Sequence, residues 1–294
     1  MVDFIHNNKD RYGVDAICRI LPIAASTYYR TLDLADNPEH RAKRDLHDEH
    51  HAEQIKRIWK ESSGRYGVRK VWQQLKREGY IIARCTVARL MQKLGIQGVW
   101  RGKNKQTTRS RDDQKRADDL VKRNFNADHP DQLWVSDFTG WVYTAFIIDV
   151  FSRAIVGWKV STRMNTDMVL DALEQALHDR GMPKNVIHHS DRGVQYLSIR
   201  YTNRLEAANL RASVGTTGDS YDNALAETVN GLYKTEVIEY LKADWQGLAD
   251  VQLATLNWVD WFNKKRVHSA LGYVSPFEFE AMYYDKINPL GQVA

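Results

Sequence analysis

A chain of 294 residues with 43% hydrophobic content, nine Trp and 27% charged residues can build one large core and one or two smaller ones. Its two cysteines, Cys18 and Cys85, lack a CxxC partner, which argues against a disulfide framework or a zinc knuckle. No leader-like N-terminus is present and the longest apolar run is broken by Asp149 and Arg153, so the expectation is a cytoplasmic protein with no membrane span.

The net charge of +5 is unevenly divided. Residues 1–125 carry 27 Lys/Arg against 16 Asp/Glu, and residues 126–294 carry 15 against 21. A front half at +11 and a back half at −6 place any affinity for a polyanion such as nucleic acid mainly in front.

Residues 1–42 form a small helical segment and linker. VDAICRILPIAASTYYR reads as a short helix, a turn around Pro22 and a second helix from Ser26, either half a helix-turn-helix or a small packing pair. Residues 33–42 are polar, contain Pro38 and read as a linker. In residues 43–100, a charged helix from Lys43 to Glu61 carries Ile55, Ile58 and Trp59 as its stripe until SSGRYG breaks it. Val68, Val71, Trp72 and Leu75 define a second helix stopped at Gly79. Thr86, Val87, Leu90, Met91 and Leu94 define a third stopped at Gly95. With Arg65, Arg69, Lys70, Arg84 and Arg89 on or beside them, these helices fit a helix-turn-helix reader of double-stranded DNA. A basic bundle without groove contact is the alternative. Residues 101–124 are a basic linker, able to lie along phosphates or simply to be solvated.

From residue 125 the periodicity changes. Leu133 to Val135 and Val142 to Val150 read as two strands joined by a tight turn at Thr139-Gly140, and Ala154 to Val160 as a third. A helix from Thr166 to Arg180, a strand Val186 to His188, a helix around Leu205 and a strand Ala212 to Val214 come next. Gly215 and Gly218 then punctuate a loop. Asp222 is positioned as an N-cap, and Asn223 to about Leu241 reads as a helix with Glu227, Asn230, Gly231 and Lys234 on one face. Trp258, Trp261 and Phe262 mark a last helix, read as core rather than a base-stacking platform.

Taken singly, Glu227 and Lys234 are an ordinary solvated helix face, and Asp191 at the end of HHSD caps an ordinary strand-end turn. A third carboxylate, Asp137, changes that reading because a charge set in an apolar strand is costly unless paired or bound to a cation. Three carboxylates brought together need divalent cations. Oxygen-only ligands favour Mg²⁺, with Mn²⁺ as a substitute, and two such ions suit in-line attack at a phosphodiester.

The order Asp137, then Asp191, then 35 intervening residues to Glu227 with Lys234 seven further on, resembles the DDE transposases of the IS3 family of insertion sequences, relatives of retroviral integrases. GDSYDNALAE, NGLYKTE and GRYGVRKVWQQL carry the resemblance, which spans about residues 40 to 285. It implies a small all-α helix-turn-helix region followed by an α/β, RNase H-like core at residues 125–285, with a mixed five-stranded sheet flanked by helices and a C-terminal helical extension. Residues 286–294 are a tail. It further implies that Asp137, Asp191 and Glu227 hold two Mg²⁺ ions and cleave and join element ends. Lys234 would contact DNA near the cleaved phosphate, with Asn223, Arg192 and Gln195 as further DNA-side or supporting residues. Homo-multimers on DNA and a fusion or partnership with an upstream-frame helix-turn-helix protein are also implied.

Two departures from the family pattern stand out. Phe262 and Val267 replace Tyr and Pro in the closing motif. The hairpin after Asp137 is about half a dozen residues short, leaving open an impaired copy that only binds DNA; an RNase H-type nuclease that cuts without joining is a further alternative.

Overall fold

The computed structural model describes residues 1–37, 40–100, 118–122, 124–139, 142–191, 193–214, 224–240 and 245–288. Three short helices come first, α1 (Val2–Tyr12), α2 (Val14–Ile20) and α3 (Ala25–Asp36), closing over Ile5, Ile17 and Tyr28. Sequence reasoning anticipates α2 and α3 but not α1. Only Ile5 of α1 is buried, so the helix offers no apolar stripe to read.

Helices α4 (Lys43–Glu61), α5 (Val68–Arg77) and α6 (Arg84–Lys93) match the sequence expectation closely. Gly79 at φ 87° and Gly95 at φ 64° take the left-handed conformation just past α5 and α6, which a Cβ would disfavour. Ile55, Ile58, Val71, Leu75, Val87, Leu90 and Met91 form the shared core of the three.

The sheet has the order β3-β2-β1-β4-β5. Strands β1 (Leu133–Thr139), β2 (Tyr143–Asp149) and β3 (Ile155–Ser161) run antiparallel in succession; β4 (Ile187–Ser190) and β5 (Arg211–Val214) extend the other side of β1 in parallel. Helices α7 (Thr166–Asp179) and α8 (Ile199–Ala207) supply the crossovers and cover one face together with Trp134, Ala145 and Ile147. The opposite face, with Leu133, Val135, Phe146 and Ile148, packs against α9 (Ala224–Tyr233) and α10 (Leu248–Lys264). Because strand side chains alternate, Asp137 belongs with Leu133 and Val135, on the α9 side. That is why the carboxylate meets the Glu227 helix.

The single helix expected from Asn223 to Leu241 is instead α9 followed by a π-helical segment, Lys234–Glu239. A π turn adds about one residue per turn, so from Lys234 on the side chains no longer follow the register of α9. Asn230 and Gly231 are buried whereas Glu227 and Lys234 are exposed. A last helix, α11 (Pro276–Ile287), begins in a capping box made by Ser275 and Glu278.

The helix-turn-helix-like unit packs directly on the core, and its apolar residues are continuous with Trp258, Trp261 and Phe262. The Tyr66 hydroxyl accepts the Val267 N–H at 2.8 Å and donates to the Lys265 carbonyl at 3.3 Å. Arg77 adds a two-pronged bond to Glu278, both at 2.8 Å. Among the described residues no helix is long and apolar enough to cross a membrane. Residues 101–117 of the basic linker, Gly140 of the hairpin turn, Arg192, Gly215 and Gly218, and Asp222 and Asn223 lie outside the described residues.

Candidate active site

Parallel pairing of β1 with β4 sets Ser136 opposite Ser190, so the next residue on each chain is an aspartate, Asp137 and Asp191. Neighbouring strands lie about 4.8 Å apart, which makes the two carboxylates adjacent. Both are half-buried. On its other side β1 pairs Asp137 with Phe146 and continues to Thr139 opposite Thr144, so the short hairpin preserves the ladder through the aspartate.

Asp191 Oδ1 accepts the Gly193 N–H at 2.9 Å. Burial pushes the Asp191 carboxyl above the usual carboxylate range, and the Gly193 N–H pulls it partly back. A carboxylate raised in this way gains from a nearby cation. Asp137 Oδ2 accepts the Asn230 side-chain amide at 2.7 Å. Glu227 lies one turn before Asn230 in the first turn of α9, exposed, and Lys234 opens the π-helical segment, also exposed. Among the described residues, no three His, Cys, Asp or Glu side chains gather closely enough to hold a metal ion.

Several groups around the aspartates had no functional signal in the sequence. The buried Tyr196 phenol has its pKa raised well above 10 by burial, by Tyr201 and by Asp191 and Asp137. His188 is 1% exposed and its pKa falls to about 3 through burial and the neighbouring His189. Its Nε2 lies 3.1 Å from the Tyr201 hydroxyl, and His189 Nδ1 lies 3.0 Å from Ser213 Oγ. The two histidines of HHSD are thus interior packing and hydrogen-bonding groups behind the aspartates. Tyr196, an aromatic in a polar loop five residues after Asp191, is the one of these that spacing alone could have flagged.

The residues expected to face DNA divide. Arg69 and Arg84 are exposed. Arg89 is paired with Asp48 at 2.7 Å. Arg65 turns inward, its guanidinium 4.8 Å from the Trp261 ring, and burial lowers its pKa. Lys70 stands 5.2 Å from the Tyr66 ring, and burial brings its pKa down to about 7. Arg65 and Lys70 therefore serve the seam between the helical unit and the core, because the aromatic residues of that seam offer faces on which cations rest. Gln195 is half-buried and donates to the Met164 carbonyl at 3.4 Å.

A mixed five-stranded sheet with adjacent aspartates, one within the central strand β1 and one just past its parallel neighbour β4, defines an RNase H-like core of the integrase class. Two models described as "Integrase core domain" match residues 127–220 and 208–276, and one described as "HTH-like domain" matches residues 46–104. The chain is 51% identical to the transposase of insertion sequence element IS629 of Shigella sonnei, over 98% of each protein. It is 30% identical to the transposase InsF of IS3A of Escherichia coli K12, over 94% of this chain and 97% of that one. The catalytic core domain of HTLV-2 integrase, solved with magnesium, aligns with 53% of this chain and 99% of its own at 18% identity and a TM-score of 0.42. The chain belongs to the IS3 family of insertion-sequence transposases, and its integrase core serves DNA transposition.

Proposed function

We propose that this transposase cleaves and joins the ends of its element through Asp137, Asp191 and Glu227, in a two-metal reaction. The observation that carries the reading is the β1–β4 register, which sets Asp137 and Asp191 side by side, together with the Asn230 bond that brings the Glu227 helix onto Asp137. The donor set fits a divalent cation such as Mg²⁺ or Mn²⁺: all three groups are carboxylates, and Glu227 has no ion-pair partner among the described residues. When bound, two such ions would neutralise the carboxylates, sharpen the attacking hydroxyl and stabilise the departing oxygen.

The protein's own residues do the rest. The sheet fixes the spacing of the two aspartates, and the buried Tyr196 walls one side of them. Lys234, exposed at the start of the π-helical segment, is positioned as a point charge for a DNA phosphate. Exposed Arg69 and Arg84 are assigned to duplex DNA, and multimers on DNA and an upstream-frame partner belong to the same reading. The complete ladder through Asp137 favours an active copy over one that only binds DNA.

The test is a DNA duplex carrying the element's terminal repeats, incubated with Mg²⁺ or EDTA. Nicked ends that then join to target DNA are expected with Mg²⁺ alone. Nicking without joining would make the protein a nuclease, and binding without either would leave only a DNA-binding protein.

A further inference from the structure

Asn230 is 5% exposed, yet its amide points at a half-buried carboxylate instead of satisfying the helix or the core. Only Nδ2 is engaged: it donates to Asp137 Oδ2, and a carboxylate can only accept, so the orientation of the amide is fixed by its partner. Oδ1 of Asn230 has no hydrogen-bond partner among the described residues. A purely structural buried amide is expected to satisfy both ends. The spacing also matters, since Asn230 stands three residues after Glu227, on the adjacent turn of α9 and on the more buried side of it.

The same helix is anchored a second time further along. Glu236, also 5% exposed, accepts the Trp258 indole N–H at 3.0 Å and pairs with Arg266. The segment from Asn230 to Glu236 is thus clasped to β1 at one end and to α10 at the other. The Asn230 clasp lies one turn after Glu227.

We infer that Asn230 is a positioning residue of this site: by holding Oδ2 of Asp137 it fixes the orientation of that carboxylate and ties the Glu227 helix to it for cation binding. The inference rests on the three-carboxylate reading and deepens it. Loss of such supporting bonds typically costs 10–100-fold in metal affinity or activity.

The experiment uses the full chain and Mn²⁺ alone as probe, with free Mn²⁺ read by electron paramagnetic resonance, alongside Mg²⁺-dependent cleavage of element-end DNA and thermal melting. Asn230→Ala is expected to weaken Mn²⁺ binding about 10-fold or more and to lower kcat similarly. KM for DNA should stay within about twofold, because no DNA contact is removed. Asn230→Gln, which keeps the donor, is expected to recover part of both; it carries the comparison if Asn230→Ala melts much earlier than the native chain. Asp137→Asn and Glu227→Gln serve as controls. If they abolish cleavage while Asn230→Ala binds Mn²⁺ and turns over like the native chain, the Asn230 role is overturned and the carboxylate reading stands. If Asp137→Asn and Glu227→Gln themselves bind Mn²⁺ and cleave normally, both fall together.

Discussion

At the scale of single residues, Glu236 and Arg266 show how much charge the interior holds. Each is 5% exposed, and Arg266 also lies over the rings of Trp261 and Phe262 at 5.3 and 5.5 Å. Removing one partner of a buried pair strands the other charge, so Arg266→Met is expected to cost about 3–5 kcal/mol. In urea unfolding, Glu236→Leu combined with Arg266→Met should recover much of that loss. A double variant no better than the single one would show that packing, not charge, dominates. The buried histidines give the chain an acid limit. His188 and His268 both have their pKa lowered from 6.5 to about 3, chiefly by burial, with Arg266 and Lys70 adding to the effect at His268. The folded chain stays unprotonated at these rings where the unfolded chain takes up protons. Their stabilisation is therefore complete above pH 6.5 and lost as pH falls towards 3, at up to about 1.4 kcal/mol per pH unit for each ring. Melting measured from pH 7 to pH 4 should decline, and His268→Phe should flatten the decline. That Asp137 and Asp191 stand side by side was legible in the sequence, because an aspartate is unusual where each of them sits and their spacing is distinctive. Asn230 was not, since an Asn on a helix face acquires meaning only when the fold places Asp137 in front of it.

Among the elements, β3 and α7 lie so close that only glycine fits between them. A Cβ built on Gly157 would run into the Ala172 carbonyl oxygen and crowd the Ala176 methyl. Gly157→Ala should therefore cost about 1–3 kcal/mol by overpacking, measured by denaturant unfolding. An unchanged midpoint would mean that α7 slides freely. Helices α4 to α6 could be read almost residue by residue, because each carries a clean apolar stripe and α5 and α6 end at left-handed glycines. The strands were found from their apolar runs, with edges shifted by one residue at β2 and β3, while β1 runs past Val135 to Thr139 and β4 past His188 to Ser190 because polar residues continue both ladders. The π-helical segment was invisible, because Val229, Leu232 and Tyr233 before it keep an acceptable α spacing; within it Glu236 is buried against Trp258 and Arg266. Helix α1 escaped because its face is nearly all polar.

For the whole molecule, the seam between helical unit and core separates cations that are exposed, such as Arg84, from cations packed inward on aromatic rings, such as Arg65. Arg84, exposed, should contribute to the salt dependence of duplex binding, and Arg84→Ala should reduce the slope by about one. Arg65→Ala should leave that slope unchanged and lower the melting temperature, since its guanidinium rests on Trp261. Equal slopes in both variants, or a reduced slope in Arg65→Ala, would reverse the assignment. Composition and the charge split already pointed to DNA, but which cations face it could not be read, because Arg65 and Lys70 look as available in sequence as Arg84. The central claim is that Asp137, Asp191 and Glu227 act as one site. Its most direct test is Mg²⁺-dependent nicking of element-end DNA by the native chain, Asp137→Asn, Asp191→Asn and Glu227→Gln, with DNA binding measured in parallel. The expected result is nicking by the native chain alone, each variant losing at least about a thousandfold while binding DNA as before, an effect of about 4 kcal/mol on the barrier. Nicking retained by any one of the three variants would contradict the claim.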